Sequence, residues 1–174
     1  MAVEREKFEA AELAIALSHY DLGIIASIQE FARGSRRSPK VVINCRRGKF
    51  LFKRRTGGKK RIKKVLNKVA FTHQIQLHLA GESFPLPHLL GTRPDNNSML
   101  VLDENIYEMF EYMEGGHYDG SLEATQDAGR ILGLYHKLLA GFQSQYTPPR
   151  GSYHNARAVL EAVRNTATSL PAAP

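Results

Sequence analysis

Three groups of residues in this sequence have the types and the order to handle a phosphate. Gly34-Ser35-Arg36-Arg37-Ser38 makes a short turn. A glycine there lets backbone N–H groups approach an anion closely, two hydroxyls add donors, and two guanidinium groups add charge. Lys53 follows one hairpin later, behind apolar Leu51 and Phe52 and ahead of Arg54 and Arg55. The run Ile106-Tyr107-Glu108-Met109-Phe110-Glu111-Tyr112-Met113 then passes through Glu114 into Gly115-Gly116, where strand-terminal backbone groups could meet a flat heterocyclic base. Each group has an ordinary alternative: a plain hairpin turn, a strand whose alternation sends some cations to a solvated face, and an edge strand with mixed faces. Their order along the chain is the informative property.

Charge supports the same region. Of the 24 Lys and Arg residues in a chain of net charge +7, sixteen lie between Arg33 and Gly81, a stretch that holds none of the 17 Asp and Glu. Such segregation suits a polyanionic partner, whether nucleotide phosphates, nucleic acid or a membrane surface, or else a basic face that is simply solvated. The one cysteine, Cys45, rules out a disulfide scaffold, fits a reducing compartment and reads as a small residue packed in a strand. No apolar run approaches a bilayer span, and Met1 to Lys7 is charged with no signal-type stretch behind it, so a cytoplasmic protein without a membrane partner is expected.

The elements that must position these groups follow from periodicity. Val3 to His19 is spaced as an amphipathic helix, ended by Tyr20-Asp21-Leu22-Gly23. Gly23 to Phe31, Val41 to Ile43 and Phe50 to Arg54 read as three strands of an antiparallel meander. Apolar residues from Ile62 to Leu79 recur at helical steps down to Gly81, and Phe84-Pro85-Leu86-Pro87 cannot continue that helix, because proline lacks the backbone donor. Leu89 to Thr92, Met99 to Leu102 and Ile106 to Tyr112 read as strands. Ser121 to Phe142 is helical with a largely apolar stripe through Leu122, Ala128, Ile131, Leu132, Tyr135 and Leu138. Pro148 to Gly151 reads as a linker and Asn155 to Thr166 as a last helix, before a Ser169 to Pro174 tail too small and proline-rich to pack. The fold class is α+β: a mostly antiparallel sheet with one long packed helix, followed by helices.

In that order the residues resemble a known family. Tyr20-Asp21-Leu22-Gly23, Arg33-Gly34-Ser35 with Ser38-Pro39-Lys40, Gly48 to Lys53, His78-Leu79-Ala80, Phe84 to Pro87 and Tyr107 to Tyr112 with Gly115 look like the N-terminal lobe of the aminoglycoside phosphotransferase and homoserine-kinase-like family. Ala128 to His136 is similar to the first back-lobe helix of that family. The likeness covers roughly residues 12 to 142 and implies a protein-kinase-like N-terminal lobe over residues 1–114. Residues 115–174 then hold the hinge, a helical segment and a disordered tail, the start of a truncated C-terminal lobe. By position, it implies that Gly34, Ser35 and Ser38 line the triphosphate of ATP and that Lys53 contacts its α- and β-phosphates. It further implies that Phe110 and Tyr112 offer backbone hydrogen bonds to adenine, with Met109 behind the ring.

Two departures qualify the resemblance. Such kinases pair the strand lysine with a glutamate on the following helix, but here that helix has no acid before Glu82 and carries Thr72 at about that position, so Lys53 is left to Gln74, to His73 or to itself. The family's His-x-Asp-x-x-x-x-Asn loop is not found either: Asp119 lies two residues after His117 but is followed at the fifth place by Ala124, and His136 and His154 precede no aspartate. Without base and metal ligands the expectation is a nucleotide-binding lobe with no phosphoryl transfer of its own, no catalytic residue, and magnesium only if a C-terminal lobe is supplied by a missing segment or partner chain. His136 is expected as a packed helix residue. The competing readings are a basic module for single-stranded nucleic acid, with Phe50 and Phe52 stacking bases, and a non-catalytic interaction domain.

Overall fold

The computed structural model describes residues 4–58, 61–93 and 95–147. Eight elements occur among them: α1 (Ala10–Ser18), β1 (Ile25–Glu30), β2 (Lys40–Cys45), β3 (Gly48–Thr56), α2 (Ile62–Gly81), β4 (Leu100–Leu102), β5 (Asn105–Glu111) and α3 (Leu122–Leu139). The strands form one sheet in the order β1-β2-β3-β5-β4, every neighbouring pair antiparallel. The α+β expectation holds. No helix among the described residues is long and apolar enough to cross a membrane.

Strand alternation gives the sheet two unlike faces. On one, Val41, Ile43, Phe50, Phe52, Tyr107 and Met109 are buried together with Ala16, Leu17, Tyr20 and Leu22 from α1 and the turn after it. Phe52 is fully buried at the centre of this face. Its ring stacks on Phe8 and Tyr107 at centroid separations of 5.5 and 5.7 Å and meets the edge of Tyr20 at 5.8 Å. Buried in this way, Phe50 and Phe52 offer no platform for nucleic-acid bases, contrary to the competing reading. Arg54 fastens α1 over this core: its Nη1 donates to both Glu12 oxygens at 2.7 and 2.8 Å, and Glu12 also accepts the Tyr107 hydroxyl at 2.7 Å.

The opposite face carries Lys53 and Glu108 and is covered in part by α2, whose His73 is buried against it. The helix Ile62–Gly81 matches its predicted extent. Other boundaries moved. The first helix begins at Ala10 rather than Val3, because Glu9 N–H donates to the Glu12 carboxylate at 3.3 Å and starts the helix there. Ahead of it, Glu6 is drawn across the sheet, its N–H bonded to Arg36 C=O at 2.9 Å and its carboxylate to Arg54 at 3.0 Å. The expected strand Leu89 to Thr92 is reduced to a single bridge between Leu89 and Phe110, since Thr92 turns back to pair with Asn97. Cys45 ends β2 half-buried, with its Sγ 3.4 Å from Gly48 C=O.

Helix α3, the last among the described residues, has its predicted position, but its apolar stripe is not covered: no residue of it is buried, and Leu122 and Leu132 are exposed. It touches the lobe at its C-terminal end, where His78 Nε2 donates to Leu138 C=O at 2.9 Å and Phe142 lies against Phe71 and His78. The linker at Pro148, the helix at Asn155 to Thr166 and the tail lie outside the described residues. Deleting the Phe52 ring removes three aromatic contacts from a site with no solvent to refill it, so Phe52→Ala is expected to lower unfolding free energy by about 3–5 kcal/mol in urea denaturation. A loss below about 1 kcal/mol would contradict this account of the core.

Candidate functional site

The register of β2, β3 and β5 sets Lys40 opposite Lys53 and Lys53 opposite Glu108, three charged residues in a row on the face away from α1. Two lysines facing each other across a ladder repel, and a sheet keeps such a pair only with compensation. For Lys53 it comes from Glu108, whose Oε2 lies 3.7 Å from the ammonium. Glu108 itself is 1% exposed. It accepts His73 Nε2–H at 3.0 Å and a two-point contact from Arg55, Nε to Oε2 and Nη2 to Oε1, while His73 Nδ1 lies 2.9 Å from the Ser98 hydroxyl. Because an ionised carboxylate can only accept, His73 Nε2 carries the proton.

The acid that meets the strand lysine therefore comes from the neighbouring strand. Burial alone would raise the Glu108 carboxyl, but the hydrogen bonds from His73 and Arg55 and the charges of Arg55 and Lys53 outweigh it and hold the pKa down at about 2. The Lys53 pKa is lowered as well, which for an ammonium disfavours the charged form: burial lowers it, Glu108 opposes this, and Arg55 and Lys40 add to the lowering. Of the helix groups expected to steady Lys53, His73 does so only through Glu108. Gln74 instead accepts from Ser144 at 2.5 Å, and Thr72 faces solvent with its hydroxyl on Lys68 C=O.

Lys40 has no acid beside it among the described residues. Its Nζ donates to Arg33 C=O at 3.0 Å and Ser38 C=O at 3.1 Å, under the β1–β2 loop. Gly34 closes that loop at φ +76°, a conformation that disfavours a side chain, and a Cβ there would sit 3.4 Å from the Lys40 ammonium. Ser35 Oγ accepts Arg37 N–H at 3.3 Å and thus shapes the loop. Gly34 and Ser35 are exposed and Ser38 half-buried, but the residues here that line the neighbouring cleft are Phe31 and Arg33 of the loop and Lys40 at the start of β2. Sequence reading passed over Lys40, Arg33 and Glu108 as site residues. The alternation of β2 and β5 was the signal that could have found them.

The cleft, of about 510 Å³, runs from Arg33, Lys40 and Lys53 past Leu51 and Gln76 to Phe110, Tyr112 and Met113 and the Gly115-Gly116 connector. It gathers one cationic end and one apolar end. Phe110 and Tyr112 both line it, but Tyr112 N–H donates to Lys49 C=O at 2.9 Å. That donor is committed to the sheet, and alternation of the ladder commits the Phe110 backbone in the same way. Met109 is placed elsewhere: it is fully buried in the core under α1, on the opposite face, because it sits one residue out of phase with Phe110. His136 is exposed on α3, which corrects the expectation that it is packed. A larger apolar depression of about 720 Å³ lies between α1 and β1, but its one cation is Arg93, already bonded to Ser18 C=O.

The arrangement of sheet and helices has a solved counterpart. It matches the structure of a microcompartment-associated aminopropanol kinase with a TM-score of 0.60 at 14% identity, over 88% of this chain and 48% of that one. The fold is kinase-like. The chain spans about half the length of that kinase. No protein-family model matches the sequence, and neither does any curated protein. Among the described residues no three His, Cys, Asp or Glu side chains come together as a metal site.

The Glu108 network has a measurable consequence. With a carboxyl pKa of about 2 when folded against an ordinary 4.5, Glu108 contributes stability that is complete above pH 4.5 and lost as pH falls toward 2. The contribution is about 3 kcal/mol. Glu108→Gln is expected to be less stable than the parent at pH 7 and to converge on it at pH 2–3 in denaturant titrations. A parent–variant difference that does not change with pH would rule this out.

Proposed function

We propose that this chain is the nucleotide-binding lobe of an ATP-dependent small-molecule phosphotransferase of the aminoglycoside-phosphotransferase-like kind. The observation that carries the proposal is the cross-strand pair Lys40 and Lys53, which open into one cleft where Lys53 has only an already occupied acid and Lys40 has none among the described residues. Such a site demands an anion, and a polyphosphate bearing several charges fits it better than a single carboxylate. The apolar end of the cleft, with Leu51, Phe110 and the Tyr112 to Gly115 backbone, suits a flat base. Lys40 and Lys53 would hold the phosphates, with the Gly34 loop closing over them. Because the Tyr112 donor is spent on Lys49, the base meets the backbone from Met113 onward, the first residue past the sheet pairing.

The residues that would transfer the phosphoryl group are not among these 174: the sequence holds no His-x-Asp-x-x-x-x-Asn run. The chain thus binds and orients, and the base and metal ligands belong to a second lobe. The cations place the triphosphate and offset its charge, which is the part of phosphoryl transfer that a front lobe supplies.

Titration of the purified chain with a non-hydrolysable ATP analogue is expected to show saturable binding, weakened about 10- to 100-fold in Lys53→Ala and Lys40→Met. Adenosine, which lacks phosphates, should be indifferent to both substitutions. Absence of saturable nucleotide binding, together with an oligonucleotide affinity that falls steeply with salt, would overturn the proposal in favour of a nucleic-acid module.

A further inference from the structure

We propose that the free edge of β1 takes an extended peptide segment of another protein as an added antiparallel strand, one with apolar residues at alternate positions and acidic residues at its C-terminal end. The surface lies on the α1 side of the sheet, and the proposal does not rest on the nucleotide reading.

One row of backbone groups on this strand is unused. β1 stands at the end of the sheet, with β2 as its one neighbour. Phe31 N–H is bonded to Lys40 C=O. From that pair the antiparallel alternation turns Gln29 and Ser27 toward β2 and points the N–H and C=O of Ile28 and Glu30 outward. Among the described residues no backbone group beyond β2 is bonded to either. Edge strands are commonly protected by lysine or proline, yet Ile25 to Gln29 holds neither, nor any charge. Beside this edge lies the apolar depression of about 720 Å³. Ile28 stands opposite Ile43 in the ladder and so faces α1, but it stays 40% exposed. The register shift between Ile25 and Ser27 inserts an extra residue, which brings Ile25, 37% exposed, to the same depression. An added strand bonds to Ile28 and Glu30 and lays every second side chain against these isoleucines.

Charge gives the added strand its chemistry and its direction. Two cations stand where the chain enters β1. Arg46 has its N–H on Ile24 C=O and an exposed side chain with no acid beside it among the described residues. Arg93 lines the depression, and its Nη2 reaches a carbonyl, Ser18 C=O at 3.4 Å, rather than an acid. At the other end of the strand Glu30 is neutralised by Lys7 at 3.0 Å. A strand added antiparallel, as every other pair in this sheet is, ends alongside Ile24, so acids complement the site when they follow the apolar residues. Successive side chains alternate between faces, and a short acidic run therefore serves both arginines.

Fluorescence anisotropy with a labelled synthetic peptide, alternating valine and threonine ahead of a run of aspartates, tests this. Saturable binding is expected, about three- to tenfold tighter than for the same peptide with its aspartates moved to the front. It should weaken about tenfold in Ile28→Lys and about three- to tenfold in Arg46→Glu. Methylating one alternate set of peptide amide nitrogens should abolish binding, while methylating the other set leaves it within about twofold, because only one set faces β1. Amide hydrogen exchange at Ile28 and Glu30 should slow about tenfold or more with peptide, and that at Ser27 and Gln29, already bonded to β2, should change less. If circular dichroism shows Ile28→Lys to be unfolded, the methylated peptides decide the matter on the parent chain. The proposal is overturned by the absence of saturable binding, by binding indifferent to which amides are methylated, by tighter binding of the front-loaded peptide, or by unslowed exchange at Ile28 and Glu30. A parent chain that sediments as a dimer, and as a monomer in Ile28→Lys, overturns it as well and assigns the edge to a second copy.

Discussion

The buried Glu108 carboxylate is the constraint on which the polar half of this lobe depends. A charge so far from solvent persists only when its lone pairs are filled, and here they are filled from two elements: Arg55 and Lys53 on β3 and His73 on α2. Ser98, just ahead of β4, fixes the imidazole from behind. One acid thus specifies how the long helix sits on the sheet and how the lysine row stands beside it. Hydrophobic packing alone would not set that angle, because α2 buries only Val69, Ala70, His73 and Leu79.

The two faces of the sheet divide the work that strand alternation makes possible. Under α1 the Phe52 stack and its aliphatic neighbours supply most of the apolar burial, and Arg54 with Glu12 and Tyr107 fixes the helix over it. On the other face the same strands present Lys40, Lys53, Arg55 and Glu108. Moving the register of β3 by one residue would put Phe52 in the cleft and Lys53 in the core. The chemistry is therefore locked to the packing: the aromatic core forbids the slip that would scramble the charged row.

Much of this was legible in the sequence, for reasons that differ by element. The helix Ile62–Gly81 could be placed because twenty residues of period 3.6 end at Gly81 ahead of two prolines, and Lys53 could be singled out because it follows an apolar pair on a strand one hairpin after the glycine turn. The acid that meets Lys53 could not. A search for it along α2 followed one-dimensional order, whereas Glu108 reaches Lys53 through cross-strand register, 55 residues later in the chain. The Met109 placement failed on the same ground, since a one-residue phase decides which face of β5 a side chain joins. The burial of α3 was misjudged because an apolar stripe reports what a helix can pack against, and none of its residues is buried by the elements described.

The segregation of charge acquires a different meaning once partners are assigned. The acids that balance the basic segment lie outside it in sequence: Asp21 takes Arg47 at 2.5 Å, Glu114 takes Lys49 at 2.6 Å, Glu6 and Glu12 take Arg54, and Glu108 takes Arg55 and Lys53. Arg47, Lys49, Lys53, Arg54 and Arg55, at the centre of a cationic run that looks like a continuous polyanion-binding strip, are thereby engaged in holding α1, the strand ends and the sheet together. The Arg47–Asp21 and Lys49–Glu114 pairs are exposed and weak one by one, so their effect is to settle registry more than to add stability, whereas the pairs made by Arg54, Arg55 and Lys53 are at least partly buried. Among the described residues that line the cleft, Lys40 and Arg33 have no acid, and Lys53 has a shared one. Where the glycine loop, the lysine row and the end of β5 converge, positive charge therefore outweighs the acid that faces it.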